Sequence, residues 1–157
     1  MPKINLQSIA KELFRIGIVK STNPEKGTVR VEIADVTDHN GKALQSFDLP
    51  VIVSKSKKDK AYDMPDLEEQ VLCLFLGNGL SKGFCLGSFF QDVDTPPVNC
   101  QDKFHRSFED GTWLEYDRAE HKLTADVKGD IVINATGKVN VAAQGNVTVS
   151  GERIDLN

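Results

Sequence analysis

The sequence predicts a mostly β protein in which a short N-terminal helix and a small barrel precede a long C-terminal arm. Alternating apolar residues separated by glycine turns fill residues 17–90, and apolar pairs recur every eight residues near the end of the chain. We therefore divide the chain into a helix (1–16), a barrel domain (17–90), a linker (91–103) and a hairpin followed by the repeating arm (104–157).

The N-terminal segment has the apolar spacing of a helix. Asn5 or Ser8 can cap it, because a side-chain oxygen at this position accepts a bond from an unpaired backbone N–H of the first turn. The apolar residues, at intervals of three and four, are Leu6, Ile9, Leu13 and Ile16. This spacing predicts one amphipathic helix from Asn5 to Ile16.

The barrel domain reads as a series of short strands. Thr28 to Ile33 alternates behind a turn that contains Pro24 and Gly27, which predicts a hairpin. Asp48 to Val53 is a further predicted strand. The apolar runs Gln70–Leu76 and Gly83–Phe90 are predicted to pair across a glycine turn. About five short strands in this span are typical of a small closed barrel of the OB type.

The arm repeats every eight residues. Gly129, Gly137 and Gly145 are each followed by apolar residues two and four places later, and His121 stands in the glycine position one period earlier. The apolar positions are Leu123, Ala125, Ile131, Ile133, Val139, Val141, Val147, Val149, Ile154 and Leu156. The repeat slips at its end, because Ile154 follows Val147 by seven residues and not eight. Both members of a pair share one face of a β-strand, and glycine suits the corners because it takes positive φ without steric cost.

Such an arm cannot be stable as a lone ribbon, because its backbone N–H and C=O groups have no partner. A single-chain β-helix would satisfy them, but the four octads make fewer than two of its usual coils. Three copies wound together would bury the apolar rows and pair every strand edge. We therefore predict an intertwined triple-stranded β-helix in a homotrimer, with the ten apolar positions in its core and the glycines at its corners.

Composition excludes several classes of protein. The formal net charge of −4 argues against a general polyanion binder. The chain has no apolar run long enough to span a membrane, and its N-terminus does not resemble a signal peptide, so we expect synthesis in the cytoplasm. Cys73 and Cys85 lie in apolar strands, and the three cysteines form no Cys-x-x-Cys motif, which favours buried structural thiols.

The candidate catalytic and metal-binding motifs are weak. Gly79–Gly83 matches the G-x-S-x-G nucleophile elbow, but a strand follows it where that motif requires a helix. The carboxylates Asp66, Glu68 and Glu69 fall in a turn, where solvation accounts for them. The histidines have no companion at ligand spacing, and they are His39, His105 and His121. We therefore expect no enzyme activity, no cofactor and no metal site.

Nucleic-acid binding is the remaining ligand hypothesis for an OB barrel. The basic stretch Lys55–Lys60 and several phenylalanines would suit a single strand. The phenylalanines concerned are Phe75, Phe84, Phe89 and Phe90. All of them fall in predicted core strands, and Asp59 interrupts the basic stretch. We therefore expect a solvated loop and no nucleic acid.

Three segments resemble a known family. Pro65–Gly77 and Gly83–Phe90 resemble the OB-domain signature of the central spike of contractile injection machines, the phage baseplate assembly protein V family with its type VI secretion relatives. Phe108–Asp117 is similar to the segment that opens the triple-stranded β-helix in those proteins. The order of helix, barrel, hairpin and needle completes the likeness.

The resemblance implies a homotrimeric needle in a virion tail baseplate or tail-like particle. It implies OB domains docked beneath a ring-shaped hub, and a β-helix driven through the target cell envelope by sheath contraction. Many members end in a metal-binding His-x-His tip, whereas this chain has no histidine after His121. The chain is thus similar to members whose end is capped by a separate PAAR-type protein. The alternative is a trimeric OB-fold binding module for a carbohydrate or a partner protein.

Overall fold

A computed structural model of the chain describes residues 13–77 and 79–155, which form β-strands joined by turns and extended segments. The chain divides into two compact units, residues 1–95 and residues 96–157. The division falls inside the stretch that we predicted as a linker.

The first unit contains a closed barrel. Its strands are β1 (Phe14–Asn23), β2 (Thr28–Thr37), β3 (Ala43–Gln45), β4 (Leu49–Pro50), β5 (Ser56–Lys57), β6 (Asp59–Lys60), β7 (Gln70–Phe75) and β8 (Gly83–Ser88). The first half of β1 pairs with β7 and its second half pairs with β2. β7 also pairs with β8, and β2 with β4. A parallel bridge between Val51 and Cys85 closes the ring of five strands, as the OB-type prediction requires.

The predicted N-terminal helix is wrong at its C-terminal end, because residues 14–16 belong to β1. Phe14 pairs with Leu74 and Ile16 with Leu72 in antiparallel register. The ladder satisfies the backbone groups of this segment, so tertiary pairing overrides the local helical spacing. The other residues of the prediction, up to residue 12, lie outside the described residues.

Alternation along the strands builds the core of the barrel. In β7, and in β2 as far as Ile33, every second side chain points inward, as the two-residue period of a strand requires. The fully buried side chains are Val19, Val29, Val31, Ile33, Leu49, Val71, Cys73, Phe75 and Cys85. Cys73 and Cys85 face each other across β7 and β8 as free thiols, which confirms that they are buried and structural, whereas Cys100 is exposed.

Two segments between the strands differ from the prediction. The predicted strand Asp48–Val53 is shorter, since only β4 and the bridge at Val51 are paired. The basic stretch Lys55–Lys60 is more ordered than the expected loop, because β5 and β6 pair into a small hairpin. Its turn residue, Lys58, has φ of 59°.

The second unit begins with a three-stranded meander. Its strands are β9 (Lys103–Ser107), β10 (Trp113–Asp117) and β11 (Lys122–Asp126), with β10 in the centre. The turn at Asp110–Gly111, with φ of 83° at Gly111, joins β9 to β10 and confirms the predicted hairpin.

Strand β11 contains the first two apolar positions of the predicted repeating arm. Leu123 and Ala125 pair with Tyr116 and Leu114 of the same chain, and β11 forms an edge of the meander. His121 lies in the turn before β11 with φ of 54°, the left-handed conformation expected of a glycine position. The side chains of Leu123 and Ala125 are exposed, and their place in a trimer core stays a prediction.

Candidate assembly surface

The arm after β11 forms no strand pair with the rest of the described chain, although the backbone N–H of Lys128 donates to Thr112 Oγ1 at 3.1 Å. No strand pairing includes residues 127–155. Its backbone bends at regular intervals of eight residues, at positions 128–129, 136–137, 144–145 and 152. The bends thus coincide with the predicted corners at Gly129, Gly137 and Gly145. The arm consists of short extended segments separated by corners.

The aliphatic side chains of the arm are exposed. Their exposed fractions lie between 49% and 77%, whereas the barrel core lies at 0–1%. The residues concerned are Ile131, Ile133, Val139, Val141, Val147, Val149 and Ile154. Leu156, the last predicted core position, lies outside the described residues. Val132, predicted on the opposite face, is 75% exposed, so both faces of the single chain meet solvent.

The corner glycines do not have the backbone conformation that we predicted. Gly129, Gly137 and Gly145 bend without positive φ, so the left-handed region does not explain their presence. A Cβ atom added at any of the three would meet nothing within 4 Å in its own chain. The conformation and packing of one chain therefore place no requirement for glycine at these corners.

The meander presents one apolar face to solvent. Phe104, Tyr116 and Leu123 lie side by side across the three strands and are 64%, 39% and 69% exposed. Leu114 lies beside them at 38%, and Phe108 in the turn is 51% exposed. The prediction missed this face, although the alternation of apolar residues in β10 and β11 is a signal that could have indicated it.

The opposite face of the meander carries a compact polar cluster. Lys103 Nζ lies 2.8 Å from Glu115 Oε1, and His105 Nδ1 lies 2.9 Å from Glu115 Oε2. The His105 ring stacks on Trp113 with centroids 5.8 Å apart. The hydrogen bonds from Lys103 and then His105 lower the pKa of Glu115, and the bond to Glu115 raises the pKa of Lys103.

The candidate catalytic residues lie in two connections, one before β7 and one after it. Gly79–Gly83 connects β7 to β8 with no helix after it, which confirms the hairpin interpretation. Glu68 binds Lys20 at 2.7 Å, whereas Glu69 accepts a bond from the backbone N–H of Asp66 at 2.7 Å. Within the described residues no three His, Cys, Asp or Glu side chains are grouped as metal ligands.

The phenylalanines of the nucleic-acid hypothesis do not share one environment. Phe75 is fully buried, as predicted, and Phe84 is half-buried in β8. Phe89 and Phe90 are 39% and 65% exposed, so their placement in the core was wrong. They follow the end of β8, where the strand stops pairing with β7.

In the described part of the chain, no helix is both long enough and apolar enough to cross a membrane.

Comparisons with known proteins agree with this architecture. Residues 15–90 match the family model of the type VI secretion system/phage-baseplate injector OB domain, which is the barrel described above. The chain is also similar to the spike protein of Escherichia phage P2, with 25% identity over 156 residues that cover 97% of this chain and 70% of the relative. The two matches confirm the resemblance seen in the sequence. Residues 15–90 thus match the type VI secretion system/phage-baseplate injector OB domain, and the chain as a whole is similar to a phage spike protein.

Proposed function

We propose that this chain is a structural spike at the tip of a contractile phage tail or a phage-tail-like injection machine. Three copies would wind their arms into a triple-stranded β-helix, while the barrels dock to a baseplate hub. Sheath contraction would drive the spike through the target cell envelope. The role is mechanical, and we propose no catalytic step and no cofactor. A separate PAAR-type protein would cap the C-terminal end.

The observation that carries this proposal is the exposed, periodically bent arm. Its aliphatic side chains gain about 1.5–3 kcal/mol each on full burial, and in one chain most of that gain is not realised. Its backbone also lacks strand partners within the described chain. Two further copies would supply both the second apolar wall and the missing strands.

The corner glycines support the same arrangement. Because neither φ nor crowding within one chain requires glycine at Gly129, Gly137 and Gly145, the close approach of another chain is a remaining physical reason for it. Corners of a tightly wound prism are the places where neighbouring backbones approach most closely.

Assembly is the first test. Light scattering on the purified chain should give three times the chain mass of 17.3 kDa, and the trimer should resist detergent at room temperature. A monomer would contradict both the spike and any trimeric binding module.

Binding to immobilised hub and PAAR-type proteins would then separate a spike from a carbohydrate-binding module, because only the spike should bind both.

Piercing requires a separate test on assembled particles. Particles whose spike lacks the arm should still contract but should no longer release potassium from target cells. Particles with the full-length chain serve as the control. Undiminished potassium release without the arm would contradict the piercing role.

A further inference from the structure

The β5–β6 hairpin packs on no surface of its own barrel. It forms a separate two-stranded sheet, and every residue from 54 to 63 is exposed. Each strand has only two residues, and an isolated two-stranded hairpin is at best marginally stable in water. An ordered hairpin in this position therefore points to a partner surface outside its own subunit.

This hairpin is strongly basic. Residues 55–60 contain four lysines and one aspartate, a formal charge of +3. Lys55 pairs with Asp59 at 3.3 Å, and the ion pairs of the described residues provide no acidic partner for Lys57, Lys58 or Lys60. Lys58 also occupies the left-handed region, where a residue with a Cβ costs about 1 kcal/mol. Glycine would relieve that strain, so the lysine there is consistent with a role for its charge.

The same barrel has a pocket of opposite charge. A cavity of about 560 Å³ lies beside the start of β7 and the end of β8. Its acidic residues are Asp66, Glu69 and Asp94, and its apolar walls include Leu67, Phe89 and Phe90. No lysine or arginine is present among the described residues that line this acidic pocket.

Among the described residues, no ion pair neutralises the carboxylates that line the acidic pocket. Glu69 accepts a bond from the backbone N–H of Asp66, and Asp94 accepts one at 2.8 Å from the Gln91 side chain, so both carboxylates have neutral partners. Glu68, between the lining residues Leu67 and Glu69 in sequence, is a second strained position, with φ of 66°. Leu67 and Phe90, 61% and 65% exposed, can cover the methylene groups of an incoming lysine.

We propose that the β5–β6 hairpin of one protomer binds in the acidic pocket of the neighbouring protomer. This inference rests on the proposed function, because it requires the trimer. Each barrel would give its hairpin to one neighbour and receive a hairpin from the other, a head-to-tail contact that closes after three copies. The arms would then hold the trimer along its length, while the hairpins fix the barrels in a ring.

Zero-length cross-linking in a mixed-isotope trimer tests the contact. Light and heavy full-length chains are refolded together, and a carbodiimide couples lysine amines to carboxylates in direct contact. Peptides from residues 55–60 should be joined to peptides bearing Asp66, Glu69 or Asp94, in light–heavy pairs as well as single-label pairs. The Lys20–Glu68 pair, 2.7 Å apart in one chain, is the internal control and should give single-label links alone.

Charge reversal supplies matched variants. Lys57→Glu with Lys58→Glu should abolish the interchain link, whereas Lys26→Glu, at an exposed lysine of the β1–β2 turn, should leave it unchanged. Adding Asp66→Lys and Asp94→Lys to the hairpin variant should restore an interchain link with the charges exchanged. A merely structural effect of the hairpin substitutions would not be rescued in this way.

The outcomes separate the two proposals. A trimer by light scattering with links confined to single chains, or with no links from the hairpin, overturns the ring contact and leaves the spike proposal in place. A monomer by light scattering overturns both. Cross-links from the hairpin to an added hub protein, in place of the neighbouring pocket, would also overturn the ring contact.

Discussion

The barrel and the arm contain the same kinds of aliphatic side chain but differ in what surrounds them. Val29, Val31 and Val71 in the barrel are at most 1% exposed, whereas Val139 and Val141 in the arm are 63% and 77% exposed. The barrel strands bend around one another until the sheet closes, so one chain supplies every wall of its core. The arm has the alternation of a strand without a second layer. Apolar patterning therefore specifies a buried face, but not which chain covers it.

The largest effect should follow from Val139→Asp in the arm. Trimer formation would place three carboxylates together in a dry interior, and an uncompensated buried charge costs several kcal/mol or more. We expect loss of the trimer by light scattering, with the barrel still folded. Val132→Asp, at a position that is 75% exposed and predicted on the outer face, is the matched control. An unchanged Val139→Asp trimer would mean that the inward face is misassigned.

Phe75→Ala should destabilise the barrel, which is the other region of the comparison. Phe75 is fully buried in the barrel, and truncation of a core phenylalanine costs about 3–5 kcal/mol. We expect a lower midpoint of barrel unfolding in urea while the trimer mass persists. Phe47→Ala, at a side chain that is 64% exposed, should change the free energy of unfolding by less than about 1 kcal/mol. Simultaneous loss of the trimer would show that the two units are not independent.

Gly137→Ala should sharpen the account of the corners. In one chain the added methyl group meets open space, so the substitution alone should be neutral or stabilise by about 0.4–1 kcal/mol. In a closely wound trimer the methyl groups should overpack and cost about 1–3 kcal/mol. We expect a lower temperature of trimer dissociation, with Thr136→Ala as the neighbouring control. A raised temperature would argue against close approach at the corners.

The smallest effect should come from the polar cluster of the meander. The folded-state pKa of Glu115 is lowered by Lys103 and His105, so its stabilising contribution is present above the ordinary glutamate pKa of about 4.3 and is lost as the pH falls below it. Glu115→Gln should therefore lower the melting temperature slightly at pH 7 and not at strongly acidic pH. Exposed Glu120→Gln is the control. An equal decrease in melting temperature at both pH values would mean that the shape of the Glu115 side chain matters and its charge does not.

Local patterns predicted the barrel well where tight turns and clean alternation agreed. The hairpin around Pro24 and Gly27, the β7–β8 pair and the turn at Gly111 all follow from short-range chemistry. The end of the predicted helix failed because residues 14–16 satisfy a three-and-four spacing and also fit a ladder with β7. Pairing between segments distant in sequence decides such cases, and one sequence does not display it.

The arm shows a second limit of sequence reasoning. Leu123 and Ala125 fit the octad lattice, yet they belong to a strand that pairs within its own chain. A two-residue period is the same whether the neighbouring strand comes from the same chain or another, so spacing alone could not separate the meander from the arm. The exposure of Phe89 and Phe90 was not predicted, because apolar side chains at the end of a strand look like core residues in the sequence even where no other element covers them.

The bends at every eighth residue have a consequence for how the molecule can vary. The octads that begin at Gly129 and Gly137 bend at the same positions, so adding or deleting a whole octad there would change the length of the arm and leave the neighbouring contacts unchanged. An insertion of a single residue would turn the following aliphatic side chains to the opposite face. Length in this part of the protein is therefore counted in units of eight.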